Sequence, residues 1–90
     1  MNPKQTPSLK VKILSPREVI FEGEASSVSS QNLSGNFDIL PLHANFITLI
    51  ENNTIKVTAL DKTVTSFNFP VAIIYQINNQ VNIYTDLEFK

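Results

Sequence analysis

The chain has no cysteine and no tryptophan, one histidine and two glycines in 90 residues. Each shortage removes a class of chemistry. Without cysteine there is no disulfide framework and no thiolate metal site, and a reducing compartment is permitted. The lone histidine, His43, cannot build a histidine metal cluster, and nothing points to a carboxylate site, so no metal and no cofactor is expected. Gly23 and Gly35 are too few for a glycine-rich phosphate loop. Arg17 is the only arginine, which leaves no platform of aromatics interleaved with arginines for single-stranded nucleic acid. A net charge of −1 gives no general pull towards nucleic acid or anionic lipid. No apolar run approaches the ~20 residues of a membrane-spanning helix, and residues 1–7 lack the apolar region of a signal peptide. Any membrane contact must run through another protein or be peripheral.

What is present is a folded, single-domain composition. Hydrophobic residues make up 42% and charged residues 17%, which suits a globule with a core and argues against disorder. A chain this short buries only about 60–65% of its unfolded surface, so the core is thin. Residues 1–8 read as a flexible lead-in, 9–86 as the domain and 87–90 as the end.

From residue 9 the periodicity is two. Leu9, Val11 and Ile13 alternate with Lys10 and Lys12, the mark of a half-buried strand, and Ser15-Pro16-Arg17-Glu18 makes a turn. Val19, Phe21, Gly23 and Ala25 share the next face. Val28 falls on the opposite parity, which a β-bulge near Ala25–Ser27 would correct. Residues 29–34 read as a polar loop that Gly35 closes, and Phe37 and Ile39 form a short strand ended by Pro41. Phe46-Ile47-Thr48-Leu49-Ile50 is apolar on both faces, as in a central or interface strand. Asn52-Asn53 reads as a hairpin turn, Asp61-Lys62 and Asn78-Asn79 as two further tight connections. Ile55, Val57 and Ala59 face inward, Phe67 and Phe69 lie in register, Val71, Ile73, Tyr75 and Ile77 resume the alternation, and Val81 and Ile83 close it. Eight or nine short strands at close spacing, with no helical periodicity, predict an all-β sandwich or barrel.

Catalysis finds little support. No G-x-S-x-G elbow accompanies the histidine, so a Ser–His–Asp triad has no basis beyond residue counts. Glu22 and Glu24 lie on the outer face of a strand and read as solvated surface rather than an acid–base pair. His43 reads as a corner residue whose ring nitrogens bond nearby backbone. A compatible second reading is a contact residue at a protein interface, since loops on rigid scaffolds carry function.

Three stretches together resemble a known family. They are Leu9-Lys10-Val11-Lys12-Ile13-Leu14-Ser15-Pro16, Val19-Ile20-Phe21-Glu22-Gly23-Glu24-Ala25, and Gly35-Asn36-Phe37-Asp38-Ile39-Leu40-Pro41-Leu42-His43-Ala44. In order and spacing they are similar to the N-terminal domain of the ATP synthase epsilon subunit, whose I-L-P-x-H-A core is the specific part. Thr48 and the closing Val81-Asn82-Ile83-Tyr84-Thr85-Asp86 also match, so the likeness covers 9–86. It implies a flattened antiparallel β-sandwich of about ten short strands and a non-catalytic rotor subunit of the F-type ATP synthase. In that role the chain would couple the gamma subunit to the membrane c-ring for proton- or sodium-driven ATP synthesis, on the cytoplasmic face of the inner membrane or its organelle equivalent. The resemblance places Gln31, Asn32, Ser34, Gly35 and Asn36 at the c-ring and His43, Ala44 and Thr48 at the gamma subunit.

Four departures stand out. Leu42 occupies the family's glycine and Asn45 its proline; a glycine at 42 implies left-handed backbone, which strains leucine. Asn36 stands where many members are acidic, and Asn68-Phe69-Pro70-Val71-Ala72-Ile73 replaces an S-G-G-F signature. Family members usually continue into two α-helices, and a chain stopping at Lys90 is expected not to inhibit by inserting them. The other readings are a diverged β-sandwich adaptor or ligand-binding module, and a small hydrolase served by His43.

Overall fold

The structure, a computed structural model, describes residues 7–86. The greater part of the expected lead-in, residues 1–6, and the end at 87–90 lie outside the described residues. Eight strands follow one another: β1 (Leu9–Leu14), β2 (Val19–Asn32), β3 (Gly35–Ile39), β4 (Phe46–Glu51), β5 (Thr54–Ala59), β6 (Val64–Asn68), β7 (Val71–Ile77) and β8 (Gln80–Thr85). The sandwich is thus all-β, with eight strands among the described residues rather than about ten. The order is β4-β7-β8-β1-β2-β5-β6, with β3 also on β2. Every pairing is antiparallel except β1 with β8, which is parallel.

One long strand makes both layers. The first half of β2 pairs β1, while its second half pairs β3 and β5. The register with β5 shifts between Ala25 and Ser27, where the parity break in the sequence predicts a bulge. The extra residue, Ser26, turns its hydroxyl onto the Thr58 and Ala59 carbonyls at 3.2 and 3.4 Å. A bulge bends and twists its strand, so β2 crosses from one sheet layer to the other and Val28 returns to the core, where it is fully buried.

The core is aliphatic. Leu9, Val11, Ile13, Ala25, Val28, Ile39, Ile50, Ile55, Val57, Ala72, Ile74, Val81 and Ile83 form one buried cluster, flanked by half-buried Ile20, Phe21, Phe37, Phe46, Phe67 and Phe69. Residues opposite one another on paired strands share a face. Ile74, Ile83, Ile13 and Phe21 therefore make one continuous row across β7, β8, β1 and β2.

Five local expectations are corrected. Residues 29–32 are strand, not loop: β2 runs on to Asn32, and Leu33-Ser34 alone turn the chain, with Gly35 at φ 119°. Pairing with β3 along its whole length, and with β5 at Ser29, satisfies much of that polar backbone, and this overrides the loop-like composition. The buried parity of β7 is Ala72, Ile74 and Gln76; Tyr75 is exposed, and Val71, Ile73 and Ile77 are half-buried. Alternation alone cannot rank two apolar faces, and register with Thr85, Ile83 and Val81 decides. Val19 is exposed, because the register shift beyond Ile13 pairs it with Leu14 and turns Ile20 inward. Asn52-Asn53 joins β4 to β5, which do not pair, so it is a crossover between layers rather than a hairpin. Asn52 does take the expected positive φ, 53°, and its amide donates to the Pro70 carbonyl at 3.0 Å.

The fifth concerns β5 and β6, whose turn spans Leu60, Asp61 and Lys62, with Lys62 left-handed at φ 76°. The Thr63 backbone amide, helped by its hydroxyl, holds the Asp61 carboxyl below its ordinary value. A depressed carboxyl stabilises the turn above its ordinary pKa, and that support is lost as pH falls through the depressed one. Asn78-Asn79 is the two-residue turn that the sequence predicts, with φ 49° and 66° between Ile77 and Gln80. Paired positive φ is the mirror-image turn that matches strand twist, and asparagine tolerates it.

Candidate interaction surfaces

The histidine corner is a strapped loop. Leu42 has φ 70°, the left-handed backbone that a glycine would adopt freely and that costs another residue roughly 1–2 kcal/mol. Two asparagines of the β7–β8 turn brace it. The Leu42 amide donates to Asn79 Oδ1 at 2.7 Å, and the Asn78 amide donates to Asn45 Oδ1 at 3.0 Å. From below, buried Gln76 donates through Nε2 to the His43 carbonyl at 2.9 Å. Its Oε1 is the one buried side-chain polar atom among the described residues without a partner. Asn45 and the Asn78-Asn79 turn thus hold in place a loop that has lost the glycine.

The strain makes a prediction. Leu42 is 78% exposed, so Leu42→Gly forfeits little packing while releasing the left-handed penalty. The added chain entropy offsets roughly 0.5–1 kcal/mol of the relief. A net stabilisation of about 0.5 kcal/mol, read as a melting temperature higher by ~2–4 °C, is expected by thermal unfolding. A lower melting temperature would show that the leucine side chain packs against something.

His43 itself is half-buried. Its Nδ1 lies 2.7 Å from the Ala44 carbonyl, and because a carbonyl only accepts, Nδ1 carries the proton. Its amide donates to the Leu40 carbonyl at 3.1 Å, and its ring stands edge-on to Phe46, 5.5 Å between centroids and 87° between planes. Phe46 in turn packs on Phe37 of β3 at 5.3 Å. The corner-holding reading of His43 thus matches its contacts, while Ala44 is exposed beside it.

The β2–β3 turn forms the second candidate. Gln31, Ser34 and Asn36 are exposed, and Asn32 and Gly35 half-buried. Asn32 works in two directions: its Oδ1 accepts the Ser34 amide at 2.8 Å and its Nδ2 donates to Thr48 Oγ1 at 2.9 Å. The two residue sets expected from the sequence therefore meet at this bond, and Thr48 spends its hydroxyl there rather than on the outer surface.

The sequence reads β4 as apolar on both faces, and the structure turns the parity opposite Phe46, Thr48 and Ile50 outward. Ile47 is 65% and Leu49 47% exposed on a strand whose only pairing among the described residues is with β7. Register sets Ile47 beside exposed Tyr75, and Leu49 beside Ile73 and then exposed Tyr84. The result is an apolar outer face on an unprotected edge. Farther along the same face the character changes to charge, with Lys12 and Glu22 paired loosely at 3.9 Å. A pair so exposed contributes little stability. The signal was legible, since a strand apolar on both faces has one face to spare. Gln76 gave no signal, because a glutamine in a strand reads as an outward residue.

Nothing among the described residues assembles a reaction centre. Among the described residues no group of three or more histidine and acidic side chains could hold a metal ion. An open groove of about 500 Å³ runs past Ser29, Gln31, Asn36, Asp38, Thr54 and Lys56. Its carboxylate, Asp38, already accepts the Ser29 hydroxyl at 2.6 Å.

Comparison with known proteins fits this geometry. The model of the ATP synthase delta/epsilon chain β-sandwich domain matches residues 8–87. The chain is similar to the ATP synthase epsilon chain of Sulfurimonas denitrificans, 43% identical over 58 residues, covering 64% of this chain and 45% of that one. The epsilon chain of Chlorobium limicola is 25% identical over 79 residues, covering 88% of this chain and 90% of its own length. Against solved structures, the fold matches a chain of the mitochondrial ATP synthase of Euglena gracilis with a TM-score of 0.81 at 11% identity, covering 93% of this chain and 54% of that one. The chain thus spans about half the length of several proteins that it matches.

Proposed function

The chain belongs to the family of ATP synthase delta/epsilon chain β-sandwich domains, and from that premise we propose that it is a non-catalytic subunit of the rotor's central stalk. It would link the gamma subunit to the c-ring and associate with the membrane through that complex. The observation that carries the reading is the apolar outer face of Ile47, Leu49, Tyr75 and Tyr84 beside the His43 loop. A contiguous apolar patch on a small domain is the mark of a protein interface, and it fits the gamma subunit. The β2–β3 turn, on the other side of the Asn32–Thr48 bond, fits the c-ring. No helix among the described residues is long and apolar enough to cross a membrane, so the proposed contact is peripheral, at the cytoplasmic face of the inner membrane or its organelle counterpart. The coupling ion, proton or sodium, belongs to the ring rather than to this chain.

Torque needs a stiff wedge. A close-packed sandwich with a bulged strand common to both layers supplies one. The diverged-adaptor reading drew its support from the lost glycines, and it weakens because Leu42 keeps a glycine-like φ. The test is to recover a tagged form of the chain from membranes under mild detergent. Gamma and c subunits are expected in the eluate; their absence would end the rotor reading.

A further inference from the structure

We propose that Gln76 is a positioning residue: it lowers the stability of the core in order to hold the His43 corner in the shape its partner meets. Only the identity of that partner, the gamma subunit, rests on the rotor reading above. The place of Gln76 in the sheet calls for an apolar side chain. It has no exposed surface, shares the buried parity of β7 with Ala72 and Ile74, and stands opposite Val81 on β8 and Phe46 on β4. One side-chain bond is made there, from Nε2 to the His43 carbonyl at 2.9 Å, while Oε1 has no partner among the described residues. A buried acceptor left without a donor costs more than one neutral hydrogen bond returns. For the fold alone, the amide is a net loss.

What the amide secures is the loop. Pro41 in the second position of the turn from Leu40 to His43, positive φ at Leu42 in the third and the His43 amide on the Leu40 carbonyl mark a type II turn. That third position suits glycine. Leucine there has a relaxed alternative, because rotating the Pro41–Leu42 peptide gives a type I turn with right-handed Leu42. Two bonds from outside the turn hold it against such a change. Asn79 Oδ1 accepts the Leu42 amide, and Gln76 fixes the next peptide but one, between His43 and Ala44, which sets where the imidazole points. The Asn79 bond is exposed, whereas the Gln76 bond is part-buried, where a hydrogen bond is electrostatically stronger. A loop already in its bound shape loses less entropy on docking, and that is the return on an unfavourable core residue.

The test uses Gln76→Met in the full chain, which keeps the unbranched shape and removes both polar atoms. Its melting temperature is expected to stay level or rise by ~2–4 °C. Hydrogen exchange at the Leu42 and His43 amides should quicken by about tenfold, and affinity for purified gamma subunit should fall by about tenfold. Adding Leu42→Gly should recover most of that affinity, since a turn without strain has less need of the grip; such non-additivity is the mark of coupled residues. Gln76→Leu, with a different shape, should agree and so exclude a packing fault of methionine. Melting temperatures lower by more than ~5 °C in both variants would make Gln76 an ordinary support of the core and overturn the proposal. Unchanged exchange and unchanged affinity would overturn it too. If the unaltered chain does not bind gamma subunit, the rotor reading falls by itself. Exchange at residues 42 and 43 then decides the positioning role alone, faster rates upholding it and equal rates ending it.

Discussion

Ile83→Ala is expected to cost about 3–4 kcal/mol of stability, the middle to upper part of the range for emptying a fully buried isoleucine site. Ile83 has no exposed surface and sits in the central strand of three, with Ile74 opposite on β7 and Ile13 opposite on β1. Both neighbours are held by their own ladders, so neither can collapse into the space of the lost atoms. A 90-residue domain has roughly 5–13 kcal/mol to lose, so this one change removes a large share. Thermal unfolding should show a melting temperature lower by more than ~10 °C. Ile83→Val, which deletes a single carbon, should cost only about 0.5–1.5 kcal/mol. A loss below ~1.5 kcal/mol for the alanine would mean that the row does not pack as a unit.

Ile47→Asp is expected to weaken association with the gamma subunit by about 30-fold or more, the scale of a hot-spot residue at the centre of an interface. The argument is one of desolvation. Ile47 stands out from the edge strand beside Tyr75 and Leu49, and an aspartate there would be buried by any partner that covers the patch, without a counter-charge on this chain. Folding is affected far less, because the side chain is 65% exposed and inward-facing Phe46, Thr48 and Ile50 are untouched. The measurement pairs an affinity titration against gamma subunit with a melting curve. Unchanged affinity would remove the β4 face from the interface; a melting temperature lower by more than ~10 °C would mean that the residue is part of the core.

The contrast between these two residues also shows what sequence could and could not say. Where one face of a strand is apolar and the other charged, as in Leu9, Val11 and Ile13 against Lys10 and Lys12, alternation fixes which side is buried. The same rule located the bulge at Ser26, because a parity break between Ala25 and Val28 has few other remedies. Where both faces are apolar, as in β4 and β7, alternation carries no sign, and only pairing with β8 decides that Ile74 rather than Ile73 is inside. Asn52 takes the left-handed backbone that its turn chemistry implies, but Asn52-Asn53 makes no hairpin, since local turn chemistry says nothing about which strand comes next to which. Of the candidate site, the His43 corner and the β2–β3 turn were legible as segments. Their fastening, by Gln76, Asn78, Asn79 and the Asn32–Thr48 bond, was not, because it joins residues 16 to 37 positions apart.

The parallel pairing of β1 with β8 carries a consequence for how the chain is made. The last strand lies between the first strand and β7, in the middle of the sheet. During synthesis β1 emerges early with only one of its two edges covered, by β2. The other edge stays open until residues 80–85 have left the ribosome, and the loop that must then close spans nearly the whole domain. Pairings so distant in sequence form slowly and leave strand edges exposed in the meantime. A nascent chain arrested anywhere before residue 80 would therefore display β1 as an open template, and premature termination there should yield aggregate rather than a shortened but soluble domain.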